Sequence, residues 1–336
     1  MHKNDAGFTL GEVLIATVLT LVVVGSGLTV FTRSVEISDT ARLVGGTNHS
    51  MQAAMSMMVR DFMQTGQGIP RGGVPVPSGS PSLPLLRPGP PGMTLTLDPA
   101  AATLPAVWTG GSLGPSVLGV QTDIVNLLYA DATLALNQFP LSAIANDGST
   151  MTVNAGTVIS GPDGLRAGDL ILFTNALGSA IQAVSSVAGQ VVTFNPGDAL
   201  RFNQPTAPQG SIMGLQSGGV FPLTTARRVW LVSYYLDTVT DPTLPRLVRQ
   251  VNAGNRLAIA LGVENLQFTY DLINGSTNPS NVETPISPLS PNHIRKANLF
   301  LAARSLDLSL PSNQFLRNSM ALSVGLRSLT FVDRYQ

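Results

Sequence analysis

The chain has 336 residues, enough for one large domain or two modest ones with a buried core. Its 19 basic and 19 acidic side chains cancel and only 11% of residues are charged, which excludes the basic footprint of a nucleic-acid binder. Cysteine is absent, so disulfides, thiolate metal sites and cysteine nucleophiles are excluded together. Abundant glycine (33) and proline (24) beside many aliphatic residues predict a turn-rich β protein behind a membrane segment.

From Val13 to Thr32 there is no charged side chain. As a helix this run is about 30 Å long, one bilayer core. Glu12 stands at its edge, where a carboxylate is costly unless it finds a partner. A cleavable secretory signal is one reading, with Gly25-Ser26-Gly27 as the small-residue site, although the apolar core is long for that class. A plain signal anchor is another, with Lys3 and the amine held in the cytoplasm by the positive-inside rule.

The third reading rests on the order of residues. Gly7-Phe8-Thr9-Leu10-Gly11-Glu12-Val13-Leu14-Ile15-Ala16 resembles the class III signal of type IV prepilins and pseudopilins. The resemblance implies cleavage between Gly7 and Phe8 by a prepilin peptidase, N-methylation of Phe8, and Glu12 as the characteristic acid at the fifth mature position. Residues 1–7 form a short polar leader, as in that family. Gly11 departs from the pattern, which usually has a large aliphatic residue there; glycine weakens a helix by about 1 kcal/mol relative to alanine. Under this reading the new amine of one subunit meets the Glu12 carboxylate of a neighbour, and pairing makes both charges tolerable in the membrane. The plainer alternative is that Glu12 snorkels to the headgroups.

After the filament-core helix, residues 8–32, an amphipathic helix is expected over 33–69. Val35, Leu43, Met51, Met55, Met58, Val59 and Phe62 recur at helical spacings and should lie against the sheet of a globular head. Gly25 and Gly27 are points for unwinding or close packing, and Gly45-Gly46 for a kink. The helix should end near Gly66 or Gly68, before Pro70. The stretch "MMVRDFMQTGQGIP" is similar to the end of the long helix in PilW-type minor pilins, with Arg60-Asp61 preceding a short apolar stretch and a glycine.

Glycine and proline supply 13 of the 23 residues from Pro70 to Gly92. We expect a loop region over 70–118, extended or polyproline-like in its first part. The β-rich head, 119–336, should hold short strands at 124–129, 150–153, 170–174, 181–187 and 190–194, with turns at Gly168-Asp169 and Gly197-Asp198. The stretch 165–198 looks like the inserted β subdomain of some large minor pilins. Longer strands are expected at 228–236, 247–251 and 263–272, and the last two within 293–310 and 317–335. The segment "GVENLQFTYDL" resembles the closing sheet of PilW-type proteins and of the J-type minor pseudopilin of type II secretion. The fold class is therefore α+β: a long helix packed on an antiparallel sheet, with an extra β subdomain.

Catalytic patterns are weak. Gly110-Gly111-Ser112-Leu113-Gly114 matches a nucleophile elbow, but that chemistry needs a strand, a turn and a helix around the serine. His49 and His293 stand far apart in sequence and support neither a triad nor a metal site. No catalytic residue, cofactor or metal is assigned. The resemblance implies a minor pilin-like subunit of a type IV pilus, anchored by a single pass in the bacterial inner membrane with its head outside the cytoplasm. It implies as partners the prepilin peptidase, other pilins or pseudopilins and an inner-membrane assembly platform, with a place at the tip or in initiation. The alternatives are a J-type minor pseudopilin, a surface module for adhesion or DNA uptake, and a membrane-tethered hydrolase using Ser112.

Overall fold

The computed structural model describes residues 9–287 and 289–329. One helix runs unbroken from Leu10 to Gln64 and is about 80 Å long at 1.5 Å per residue. It passes Gly25, Gly27, Gly45 and Gly46 without unwinding, so these glycines are neutral to the course of the helix and not points of a kink. A Cβ at any of these glycines would meet nothing within 4 Å, so no close neighbour bends the chain. The remaining cost, about 1 kcal/mol per glycine, is spread over a long hydrogen-bonded ladder. The helix stops where expected, as Gly66 and Gly68 take positive φ (81° and 70°) and the Gly66 amide donates to the Leu128 carbonyl at 2.9 Å.

The chain divides into two compact units. One holds the helix up to His49 and an arm, Arg304–Asn318, made of the ends of two strands and the turn between them. The other holds Ser50–Ala303 and the residues from Ser319 onward.

The larger unit is built on the central strand Thr225–Asp237. Along one edge Val125–Ala130 pairs with it antiparallel, Val229 meeting Ala130 and Tyr234 meeting Val125. The opposite edge is shared: Leu170–Asn175 pairs with residues 225–229 and Arg246–Val251 with residues 232–237. Asn252 bridges the gap, accepting from the Leu231 amide at 3.0 Å and donating to the Gly168 carbonyl at 3.2 Å. Gly178–Ala183 and Arg256–Leu261 complete the two ends of this side. Arg256–Leu261 was not expected from the sequence, although Asn252-Ala253-Gly254-Asn255 and Gly262 bracket it as turns.

A four-stranded sheet, Ser186–Ala188, Val191–Thr193, Thr150–Thr152 and Ala143–Ile144, forms the extra β layer. Its membership differs from the expectation: the hairpin 170–183 belongs to the main sheet and only residues 186–193 to the extra one. The run expected as one strand over 181–187 is therefore two strands. A third sheet joins Val263–Leu272, Ile294–Leu308 and Phe315–Gly325. The final strand ends at Gly325 and a 3-10 turn follows at Arg327–Leu329, while the rest of the expected strand, 330–335, lies outside the described residues.

Met51, Met55, Met58 and Phe62 are buried with Leu127, Tyr234, Leu266, Phe268 and Leu299, so this part of the helix packs on the sheets as its periodicity predicts. Phe62 and Phe268 lie 5.8 Å apart between ring centres. Val35, at the other end of the stripe, is 43% exposed. The proline-rich segment 70–92 is not a plain loop, which corrects the expectation. It carries two short strands, Val74–Pro75 and Leu86–Arg87, and buries Val74, Val76 and Leu85 with Leu104, Leu172 and Leu231. Proline lacks a donor and tolerates extended backbone, so apolar residues between prolines can enter a core without leaving amides unpaired.

Candidate assembly site

Two places on the long helix carry unusual polar chemistry. The first is its start. Thr9 precedes the first helical residue, and its hydroxyl accepts from the Glu12 amide at 3.4 Å. In return one Glu12 carboxylate oxygen, Oε2, accepts from the Thr9 amide at 2.9 Å and from the Thr9 hydroxyl at 3.0 Å. This is a capping box, in which cap and acid satisfy each other's free amides. Glu12 is thus closed on its own chain, at the helix end whose dipole favours an anion. The signature Thr9-x-x-Glu12 was present in the sequence, but the flanking motif drew the reading of Glu12 outward to a partner. Gly7 and Phe8 lie outside the described residues.

The run that follows has no polar group left open. Its five hydroxyls all donate to helix carbonyls: Thr17 to Leu14, Thr20 to Ala16, Ser26 to Val23, Thr29 to Gly25 and Thr32 to Leu28. Such back-bonding removes the cost of carrying a hydroxyl into hydrocarbon. Leu14, Leu21, Val30 and Phe31 are each at least 60% exposed, so the apolar surface faces outward on all sides. This helix is long and apolar enough to cross a membrane.

The second place is Asp61, in the larger unit. Its side chain is 1% exposed. It accepts from the Tyr129 hydroxyl at 3.1 Å, from the Tyr234 hydroxyl, and from Arg249 Nε at 2.7 Å and Nη2 at 3.3 Å. Burial and the Asp61 charge push both tyrosines above their ordinary range, so they stay protonated donors. Burial alone would lower Arg249, but the bond to Asp61 outweighs it and holds the guanidinium charged. One carboxylate therefore ties the helix to three positions on three different strands or strand faces and fixes its register on the sheet. Sequence reading found the Arg60-Asp61 pair but not this role. Arg60 is exposed, and only the buried partner Asp61 makes the contact.

Ser112 does not sit on a nucleophile elbow. No helix follows it, and the next element is the strand Ser116–Val117. Its amide donates to Asp123 at 2.8 Å and its φ is +55°. The glycines of this motif serve packing. A Cβ on Gly110 would stand 2.5 Å from the Arg87 guanidinium, and one on Gly114 2.5 Å from the Thr122 hydroxyl. Arg87 itself is buried, donating to Asn126 and to the carbonyls of Trp108, Thr109 and Ile124. Burial pushes it down to about 9. His49 is exposed on the helix and His293 lies on a 3-10 turn. Among the described residues no three His, Asp or Glu side chains gather as a metal cage.

No protein-family model matches the chain, and no curated protein matches it. Among solved structures it is similar to a type IV-like pilin from Thermus thermophilus, at 12% identity and a TM-score of 0.18, over 49% of this chain and 89% of that one. At that score the likeness carries no weight for function.

Proposed function

We propose that the chain is a minor pilin-like subunit, inserted in the inner membrane, cleaved between Gly7 and Phe8, N-methylated at Phe8 and assembled through its N-terminal helix. The observation that carries this reading is the combination at 9–32. A 20-residue run with every hydroxyl closed on its own helix follows one carboxylate held at the first turn. That pattern suits a segment moving between lipid and a bundle of like helices, and the class III resemblance over residues 7–16 gives it direction.

The Thr9–Glu12 box adds a physical step to this account. In the free subunit the carboxylate already has acceptors' work to do, so it can wait in the membrane without an outside partner. On assembly the amine of a neighbouring Phe8 joins or displaces Thr9 at the carboxylate, and a charged donor is the stronger partner. The role is structural, with the prepilin peptidase, other pilins and an inner-membrane platform as partners. The large head fits a low-copy position at the tip or in initiation. The test is incorporation. Glu12→Ala should leave the amount of membrane-inserted, processed protein unchanged and remove the chain from sheared filaments. Undiminished incorporation of Glu12→Ala would overturn the proposed pairing.

A further inference from the structure

The arm Arg304–Asn318 carries an inverted pattern. In "RSLDLSL", residues 304–310, the leucines alternate with small or polar residues, as a strand that faces two environments must. The two serines are inside, Ser305 at 1% exposed and Ser309 at 2%, while Asp307 between them is exposed and turned to Arg42. The leucines are outside: Leu306 is 55% exposed, Leu308 45% and Leu310 65%. Ser305 is held by its own arm, its hydroxyl donating to the Asp307 carbonyl at 2.7 Å and accepting from the Leu316 amide at 3.0 Å. A strand facing water shows the opposite order, with apolar residues in and polar residues out. A single exposed leucine means nothing, but three in alternation at one turn do.

Within this unit the arm runs along the helix with its turn toward the apolar run. Asn318 donates to Asn48 at 2.6 Å, Asp307 lies 3.6 Å from Arg42, and the Leu310 amide donates to Asp39 at 3.2 Å. Leu310 shares a groove with Ser34, Val35, Ser38, Asp39 and Arg42. The helix residues of this groove, Ser34 to Arg42, lie about 3–15 Å beyond Thr32 along the helix axis, with Asp39, which accepts from the Leu310 amide, at about 10 Å. The headgroup layer on each side of a bilayer core is about 5–7 Å thick. The near end of the groove lies within the headgroup layer and the turn stands at its outer side if residues 13–32 span the core, and this inference rests on that reading.

We propose that the turn of this arm, residues 308–311, is a second membrane contact, which seats Leu308 and Leu310 in the headgroup layer of the outer face of the inner membrane. The partner is the lipid surface, because the turn sits just past the apolar run on the same helix, with Leu310 beside Val35. The effect is to brace the helix where it leaves the bilayer.

The absence of cysteine makes the test clean. Full-length Leu310→Cys, Leu28→Cys and Leu223→Cys are each labelled with an environment-sensitive fluorophore in vesicles of phosphatidylethanolamine and phosphatidylglycerol. Leu28 reports the span, and Leu223, 81% exposed, reports water. The label at 310 should shift to the blue and be quenched by nitroxide near the headgroups but not at the chain ends. The label at 28 should be quenched by the deep nitroxide, and the label at 223 by neither. A label at 310 that behaves like 223, while 28 is quenched, overturns the proposal and leaves the span intact. A label at 28 that is also unquenched overturns both. Shielding of 310 in assembled filaments but not in vesicles assigns the leucines to a neighbouring subunit and overturns the lipid contact.

Discussion

Removing the carboxylate of Asp61 tests whether the helix is locked to the sheet by one buried charge. Asp61→Ala leaves the hydroxyls of Tyr129 and Tyr234 without their acceptor and Arg249 without its counter-charge. Breaking a buried ion pair by deleting one partner costs about 3–5 kcal/mol. Each orphaned buried hydroxyl alone would cost about 1–3 kcal/mol, but these terms overlap and do not simply add. Arg249 retains 18% side-chain exposure and can recover part of its solvation, which argues for the lower half of the range. At about 2–4 °C per kcal/mol for a domain of this size, the thermal midpoint should fall by about 6–16 °C. The assay is thermal unfolding of the full chain in detergent, followed by near-ultraviolet circular dichroism, with Arg60→Ala as the control. Arg60 is the exposed neighbour in the same pair, and its loss should change stability by less than about 0.5 kcal/mol. Replacing the whole cluster by apolar groups, as Asp61→Leu with Arg249→Met, Tyr129→Phe and Tyr234→Phe, should recover much of the loss, since it leaves no buried donor without an acceptor. A midpoint for Asp61→Ala within 2 °C of wild type, at roughly 0.5 kcal/mol, would refute the lock.

Three further outcomes follow from the same geometry. Gly110→Ala places a Cβ 2.5 Å from the buried Arg87 guanidinium and should destabilise the head by about 1–3 kcal/mol, read by the same melt. Phe62→Ala empties a fully buried position against Phe268 and should cost about 3–5 kcal/mol, whereas Val35→Ala, 43% exposed, should cost less than about 0.5 kcal/mol. Acid should act on the two aspartates beside Arg228 with opposite signs. Burial would raise Asp131, but bonds from Thr133 and Arg228 outweigh it and hold its folded value low. Its stabilisation is therefore full above the ordinary carboxylate range and is lost as pH falls through that lowered value. Burial raises Asp169, so its ionisation opposes folding at neutral pH and protonation relieves this on acidification. Melts between pH 7 and 3 should show a shallower acid limb for Asp131→Asn and a steeper one for Asp169→Asn.

Much of this architecture was legible in the sequence because it rests on periodicity. The methionine stripe from Met51 to Phe62 and the strands from Val263 and Ile294 follow directly from spacing of 3.6 and 2. What the sequence hid depends on long-range pairing. Nothing near Asp61 announces Tyr129, Tyr234 or Arg249, which lie between 68 and 188 residues away. The proline-rich segment read as a loop because composition reports the absence of a ladder, not the presence of a core beside it. Its Val74, Val76 and Leu85 find that core only after the sheet has formed. The Thr9–Glu12 box was local and readable, yet a motif with a ready outside partner hid the inside one. The exposed leucines of the arm were likewise visible as alternation, but the sequence does not say which face is turned to the protein.

If the chain is processed and assembled as proposed, its N-terminus must carry the mark of it. Mass spectrometry of the membrane-extracted protein, with and without the host's prepilin peptidase, should find a chain beginning at N-methylated Phe8 only when the peptidase is present. An intact Met1 in the presence of the peptidase, or a cut near Gly27, would rule out processing as a prepilin.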